Sequence, residues 1–155
     1  LIINVSSGAD TRATGKLSDA SRAELERASD GLELRAAITR LAHEAAASHE
    51  HAPGDTPIYA LSKVGVNFYT RLVARSMMRF RCNACSPGFC RTEIAGPSAD
   101  YSQRTPKEPA LGADVVVKLL SGAVGAGMTG TFFKEASKPG TPLEKARSVE
   151  EAWVA

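Results

Sequence analysis

A tyrosine and a lysine four residues apart, Tyr59 and Lys63, stand at the head of the amphipathic run DTPIYALSKVGVNFYTRLVARSM. Four residues are about one helical turn, so the two side chains project from the same face of a helix. A phenol and an ammonium held side by side can carry acid–base chemistry at a bound ligand. They can also form an ordinary exposed surface, so the elements that position them have to decide.

Thr56 followed by Pro57 is a helix-start signal, a capping hydroxyl before a proline at the first helical position. The spacing predicts a helix from about residue 57 to 78 that buries Leu61, Val64, Phe68, Leu72 and Val73. Upstream, the apolar β-branched run Leu1–Val5 predicts a buried parallel strand that ends in the loop Ser6-Ser7-Gly8. Residues 10–55 read as polar and helical. Ser21 and Glu24 fit a capping box before LERA, and LELRAAITRLAHEAAASHE predicts a helix burying Leu34, Ile38 and Leu41 until HAPGDTP breaks it. Downstream, RFRCNACSPG predicts a second short buried strand ending at Ser86-Pro87-Gly88. A loop over 89–107 follows. Thr105, Pro106 and Glu108 then start a helix with Leu111, Val115, Val116, Leu119 and Leu120 on its buried side. GAVGAGMTG is a glycine-rich turn, TGTFFKE a third strand, and the tail from Ala136 carries weak signals for a short terminal helix.

The order strand, helices, strand, helix, strand is that of crossover units on a parallel sheet, an α/β fold. Ligands of such sheets sit outside the carboxyl ends of the strands. Ser6-Ser7-Gly8, Ser86-Pro87-Gly88 and the turn at Gly130 are therefore the loops to examine, with Tyr59 close to the first two.

Composition narrows the function classes. The chain has 155 residues, enough for one domain, with 43% hydrophobic and 23% charged residues. A formal net charge of +2 is too small to argue for nucleic acid or an anionic membrane surface. No apolar run reaches the ~20 residues of a membrane span, and no secretory leader is visible. The odd cluster Cys82, Cys85 and Cys90 favours free thiols in a reducing compartment. The expectation is a cytoplasmic protein.

Taken together, INVSSGA, YALSKVGV and RCNACSPGFCRTEIAGP resemble the short-chain dehydrogenase/reductase family, and within it the carbonyl reductase branch. The likeness runs from Leu1 to about Glu135. The tyrosine–lysine spacing by itself is weak. Joined to a strand ending in Ser-Ser, and to one ending in Pro-Gly with a threonine four residues on, it is specific. The resemblance implies a Rossmann-like doubly wound parallel sheet, of which this chain is the carboxyl-terminal part, with a helical insertion at about 10–55. It implies NADPH-dependent reduction of a small carbonyl substrate, NADH not being excluded. Tyr59 would donate the proton, Lys63 would lower the phenol pKa from its usual ~10 and hold a ribose hydroxyl, and Ser7 would bond the substrate oxygen. Pro87, Gly88, Phe89 and Thr92 would hold the nicotinamide end, together with Tyr59 and Lys63.

The chain departs from the family in lacking the glycine-rich phosphate loop, the Asn-Asn-Ala-Gly strand end and the catalytic asparagine. These belong upstream of Leu1, and the expectation is that the chain is the back half of something longer. The other function class is then a non-catalytic fragment or binding module that kept the sheet and lost half the cofactor site. Between Ser7 and Tyr59 lie 51 residues, a longer connection than the family's usual one, and the added helices are expected to cover the flank used for subunit packing and to favour a monomer.

Other residues that could do chemistry have plainer readings. Cys82 and Cys85 have C-x-x-C spacing but no second pair, which argues for burial in the strand. Cys90 lies in the substrate loop, where a reactive thiol is conceivable. His43, Glu44, His49, Glu50 and His51 read as a solvated helix end rather than metal ligands. Arg71, Arg75, Arg79 and Arg81 read as a solvated basic edge, and Asn4 as a hydrogen-bonding strand residue.

Overall fold

The computed structural model of the protein describes residues 1–48, 57–93 and 105–134. Strands Ile2–Val5 (β1), Cys82–Ser86 (β2) and Phe132–Lys134 (β3) pair in parallel in the order β1–β2–β3. In register Ile2 stands beside Cys82, Asn4 beside Ala84, and Ala84 beside Phe132. The side chains of these residues share one face of the sheet, since alternate residues of a strand point the same way. All five residues of the central strand are buried, as both faces are covered by helices. The result is a partial Rossmann-like α/β fold.

The long crossover from β1 to β2 holds four helices: Ala9–Lys16 (α1), Asp19–Arg27 (α2), Gly31–Ala47 (α3) and Pro57–Ser76 (α4). Helix α4 buries Leu61, Val64, Phe68, Leu72 and Val73, the residues its spacing predicts. Four of these pack with Leu25 of α2 and with Leu34, Ala37 and Leu41 of α3 in one apolar cluster. Ile38 is partly buried at its margin. Helix α4 is tied to the sheet by a polar bond: Asn4 Nδ2 donates to Thr70 Oγ1 at 2.8 Å. Asn4 thus has the structural role its strand position suggests.

The opposite face of the sheet carries helix Pro109–Ser121 (α5). Its Val115 and Leu119 pack on Cys85, Phe133 and Ile3. Here the sequence reading is too generous: Leu111 and Leu120 are exposed at 60% and 63%. A 13-residue helix lying on a narrow sheet buries one stripe, and Val115 with Leu119, four apart, define it. Gly122 ends α5 in the left-handed region, φ 74°, the terminus glycine favours.

Two caps also differ from expectation. Helix α2 starts at Asp19, and its capping residue is Ser18, whose Oγ accepts from the Ser21 N–H at 3.1 Å. Ser21 lies inside the first turn, because Ser18 already provides an extended residue with an acceptor side chain. Asp30 caps α3 by accepting from the N–H groups of Leu32 and Glu33. Thr56, the expected cap of α4, and the tail from residue 135 lie outside the described residues.

Within the described sheet β1 is an edge strand. Leu1, just before it, and Ile2 and Val5 on it are exposed.

Candidate active site at the carboxyl ends of β1 and β2

The two loops that the parallel sheet singles out are joined by one hydroxyl. Ser86, the last residue of β2, is buried, and its Oγ accepts from the Gly8 N–H at 3.1 Å and the Gly88 N–H at 3.2 Å. The loop after β1 and the loop after β2 are thereby held against one another. A second bond attaches the α4 helix to the same place. Ser6, also buried, donates from Oγ to the Lys63 carbonyl at 3.3 Å. The backbone of Lys63 therefore lies at the carboxyl end of β1, next to Ser7.

Lys63 Nζ lies 5.5 Å from the centroid of the Tyr59 ring. The helical spacing does bring ammonium and phenol together on one face, and the cation sits where the ring face attracts it. Tyr59 is 47% exposed and Lys63 half-buried, so a ligand can reach both. Ser7 Oγ accepts from the Ala9 N–H at 3.2 Å. That bond uses an oxygen lone pair and leaves the hydroxyl proton to be donated elsewhere.

Gly88 turns the chain with φ +80°, in the region where only glycine is unstrained. Pro87 is half-buried beside it. Phe89 is half-buried too, and its carbonyl accepts from the Lys107 N–H at 3.0 Å. Thr92 is exposed, and among the described residues no hydrogen bond joins it to this group. Ser7, Lys63, Pro87 and Gly88 are thus drawn into one locality, Tyr59 is attached to it through Lys63, and Thr92 stands apart.

The cysteines divide by face. Cys82 and Cys85, three apart on a strand, point to opposite sides of the sheet: Cys82 Sγ accepts from Asn4 Nδ2 on the α4 side, while Cys85 packs under α5. They cannot share a metal or a disulfide. Burial pushes both thiols up, Cys85 to about 11, with the Asn4 contact pulling Cys82 partly back. Among the described residues no cluster of His, Cys, Asp and Glu could hold a metal. Cys90 Sγ is 3.6 Å from the Pro87 carbonyl and 3.7 Å from that of Gly88, and it presses on Gly112 so closely that a Cβ there has no room. It is a packing residue between the loop and α5. Glu44 pairs with Arg40, which also pairs with Glu24; His49, Glu50 and His51 lie outside the described residues. Arg75 donates to the carbonyls of Glu26 and Ala28, closing the end of α2, and Arg71 lies 3.8 Å from Glu26. Half of the expected basic edge is therefore structural.

A cleft of about 330 Å³ opens between α3 and α4 beside Asn4, but neither Ser7, Tyr59, Lys63 nor Gly88 lines it. No helix among the described residues is long and apolar enough to cross a membrane.

Part of the chain is similar to curated relatives. Carbonyl reductase (NADPH) 1 of Sus scrofa is 37% identical over 67 residues, 39% of this chain and 21% of that protein. The Macaca fascicularis protein of the same name is 35% identical over 77 residues, 46% and 26% of the two chains. That of Rattus norvegicus is 36% identical over 84 residues, 50% and 28%. Over part of its length the chain is similar to carbonyl reductases, and it spans about a quarter of the curated relatives it matches. No protein-family profile matches it.

Sequence reasoning passed over Ser6 and Ser86 as working residues. Both close a strand with a hydroxyl, a signal that was visible but not specific. Gly88 is a local partner of Ser86, but Lys63 is 57 residues from Ser6 and Gly8 is 78 from Ser86, and those two bonds exist only once the chain has folded.

Proposed function

We propose that this chain is the carboxyl-terminal part of an NADPH-dependent reductase that converts aldehydes or ketones to alcohols. The observation that carries the reading is the join of three segments by Ser6 and Ser86: the β1 loop, the β2 loop and the Lys63 turn of α4 meet at the carboxyl ends of adjacent parallel strands. The carbonyl reductase relatives agree with it.

The residues present fit the nicotinamide end of a dinucleotide. Gly8 has open space where a side chain would stand, and Gly88 exposes its backbone in a positive-φ turn. Pro87, Gly88, Phe89 and Thr92 would hold that end of the cofactor. When bound, the cofactor supplies a hydride to the carbonyl carbon. The carbonyl oxygen gains negative charge as the hydride arrives, and Ser7 can meet it with the proton that its bond to Ala9 leaves free. Tyr59 donates the proton that completes the alcohol. The Lys63 ammonium, 5.5 Å from the centroid of that ring, can attract the negative charge left on it. Lys63 can also donate to a ribose hydroxyl, which would tie cofactor position to proton transfer.

Helices α1–α3 form the proposed insertion. They cover a flank of α4, and on that ground we read the complete protein as a monomer. The test is steady-state NADPH oxidation by the complete protein with a panel of aldehydes and ketones. Tyr59→Phe, which removes one hydroxyl, should lose nearly all activity while keeping the fold. Lys63→Ala should weaken both NADPH affinity and turnover. Tyr59→Phe activity within a few-fold of the parent would overturn the assignment of the proton donor.

A further inference from the structure

Half of the basic edge is used inside the fold, by Arg71 and Arg75. Arg79 and Arg81 are the other half. Both are exposed, and among the described residues no hydrogen bond or ion pair engages either guanidinium. They belong to the link between α4 and β2, where the seven residues from Arg75 to Arg81 are all exposed. Three of the seven are large and apolar: Met77 at 51%, Met78 at 93% and Phe80 at 51%. None of the seven is acidic.

The link is a built turn. Met77 N–H donates to Val73 O at 2.8 Å and ends the helix. Phe80 N–H donates to Met77 O at 2.9 Å, which closes a four-residue turn with Met78 and Arg79 at its two central positions. Both flanks are fixed, since Ile2 N–H donates to Arg81 O at 2.8 Å and Arg75 holds the carbonyls of Glu26 and Ala28. Glycine, asparagine, aspartate and serine are the usual occupants of such a turn. This one instead holds a methionine almost wholly in solvent and a phenylalanine half in it, each next to an arginine.

That chemistry selects a partner. Met78 stands on a convex tip, and a rigid protein surface would need a matching pocket to bury it. A bilayer interface adapts to the shape presented. Arginine stems can keep their charge among lipid phosphates while Met78 and Phe80 enter the boundary with the acyl chains. The whole-chain charge of +2 averages over this local excess, which acts within about 10 Å at about 0.1 M salt.

We propose that the α4–β2 turn is a docking tip for an anionic phospholipid surface, with Met78 and Phe80 inserted and Arg79 and Arg81 at the lipid headgroups. The turn leads into the amino end of β2, whereas the candidate site lies at its carboxyl end. Docking therefore leaves that site untouched. Each arginine contributes about fivefold to partition at an anionic surface.

The test is co-sedimentation of the complete protein with vesicles of phosphatidylcholine alone, or of phosphatidylcholine with one third phosphatidylserine. The parent should bind the anionic vesicles about tenfold more tightly or better. It should be released as salt rises from about 0.1 M to about 0.5 M and the Debye length shrinks from about 10 Å to about 4 Å. The double variant Arg79→Gln with Arg81→Gln should lose about twentyfold in anionic binding, and Met78→Ser with Phe80→Ser about tenfold or more. All four side chains are exposed, so both variants should keep the parent Tm. An independent readout is Phe80→Trp, whose emission should shift to the blue on anionic vesicles and be quenched by brominated acyl chains. Equal binding to both vesicle types, binding to neither, or anionic binding retained by either double variant overturns the inference. So does a homodimer that Met78→Ser dissociates, which would assign the tip to a second copy. Binding of polyglutamate by a protein that ignores the vesicles also overturns it and assigns the tip to an acidic protein partner.

Discussion

Replacing Ser86 by alanine should loosen two loops at once. The hydroxyl accepts from Gly8 N–H and Gly88 N–H, at 3.1 and 3.2 Å, from a buried position at the end of β2. A hydrogen bond contributes about 0.5–1.5 kcal/mol net. Both glycines are exposed, so water can reach their freed N–H groups and the full penalty of a buried orphan does not apply. The two bonds together are then worth about 1–3 kcal/mol. For a chain of this size that is a fall in Tm of roughly 2–12 °C. The local signature is sharper than the global one. Amide exchange at Gly8 and Gly88, read by mass spectrometry or NMR, should accelerate about fivefold or more at each, while the amides of α3 change only as far as global stability does. If the proposed reductase function holds, the loss should also appear as a weaker hold on the nicotinamide end. A Tm within 1 °C of the parent, with unchanged exchange at both glycines, would refute the claim that Ser86 joins the loops.

Three further outcomes follow from burial. Cys85 is protonated in the folded chain up to about pH 11 but ionises near its ordinary value of 9 when unfolded. Its folded-state pKa is raised, so its contribution is intact below pH 9 and lost as pH climbs from 9 to 11, by about 2–3 kcal/mol in all; urea midpoints that stay flat over that window would contradict this. Deleting residues 12–50 strips the cover from Leu61, Val64, Phe68 and Leu72 of α4. At about 1.5–3 kcal/mol for each buried side chain the product should self-associate or unfold, and a folded monomer in sedimentation would count against the role given to α2 and α3. Residues 1–155 made by themselves carry an open edge at β1 with Leu1, Ile2 and Val5 exposed, so light scattering should show aggregation; a monodisperse preparation that binds NADPH at micromolar concentration would show that the edge and the cofactor site are completed another way.

What could be read from the sequence was whatever depends on spacing within one element. Helix α4 is legible because Leu61, Val64, Phe68 and Leu72 repeat at helical intervals, and Tyr59 and Lys63 inherit their shared face from the same period. The parallel sheet is legible because β1, β2 and β3 are apolar runs separated by helices. Spacing overstates the buried side of α5, since Leu111 and Leu120 are apolar but face solvent around a narrow sheet. Helix α1, polar and eight residues long, gave no periodic signal of its own. The residues that assemble the site were the hardest to see. Ser6 and Ser86 act on partners that chain folding brings near, across 57 residues for Ser6 and Lys63 and 78 for Gly8 and Ser86. No local pattern encodes such pairs.

The central claim is that Tyr59, Lys63 and Ser7 act on a carbonyl placed at the ends of β1 and β2. The most direct measurement is a single-turnover reaction of the complete protein with NADPH deuterated on the transferable position, following label in the alcohol product. The parent protein should move the label to the carbonyl carbon within the first turnover, Ser7→Ala should slow that step by about tenfold to a thousandfold, and Tyr59→Phe should bring it near the uncatalysed rate with NADPH still bound. Label transfer by Tyr59→Phe at a rate within a few-fold of the parent would contradict the account.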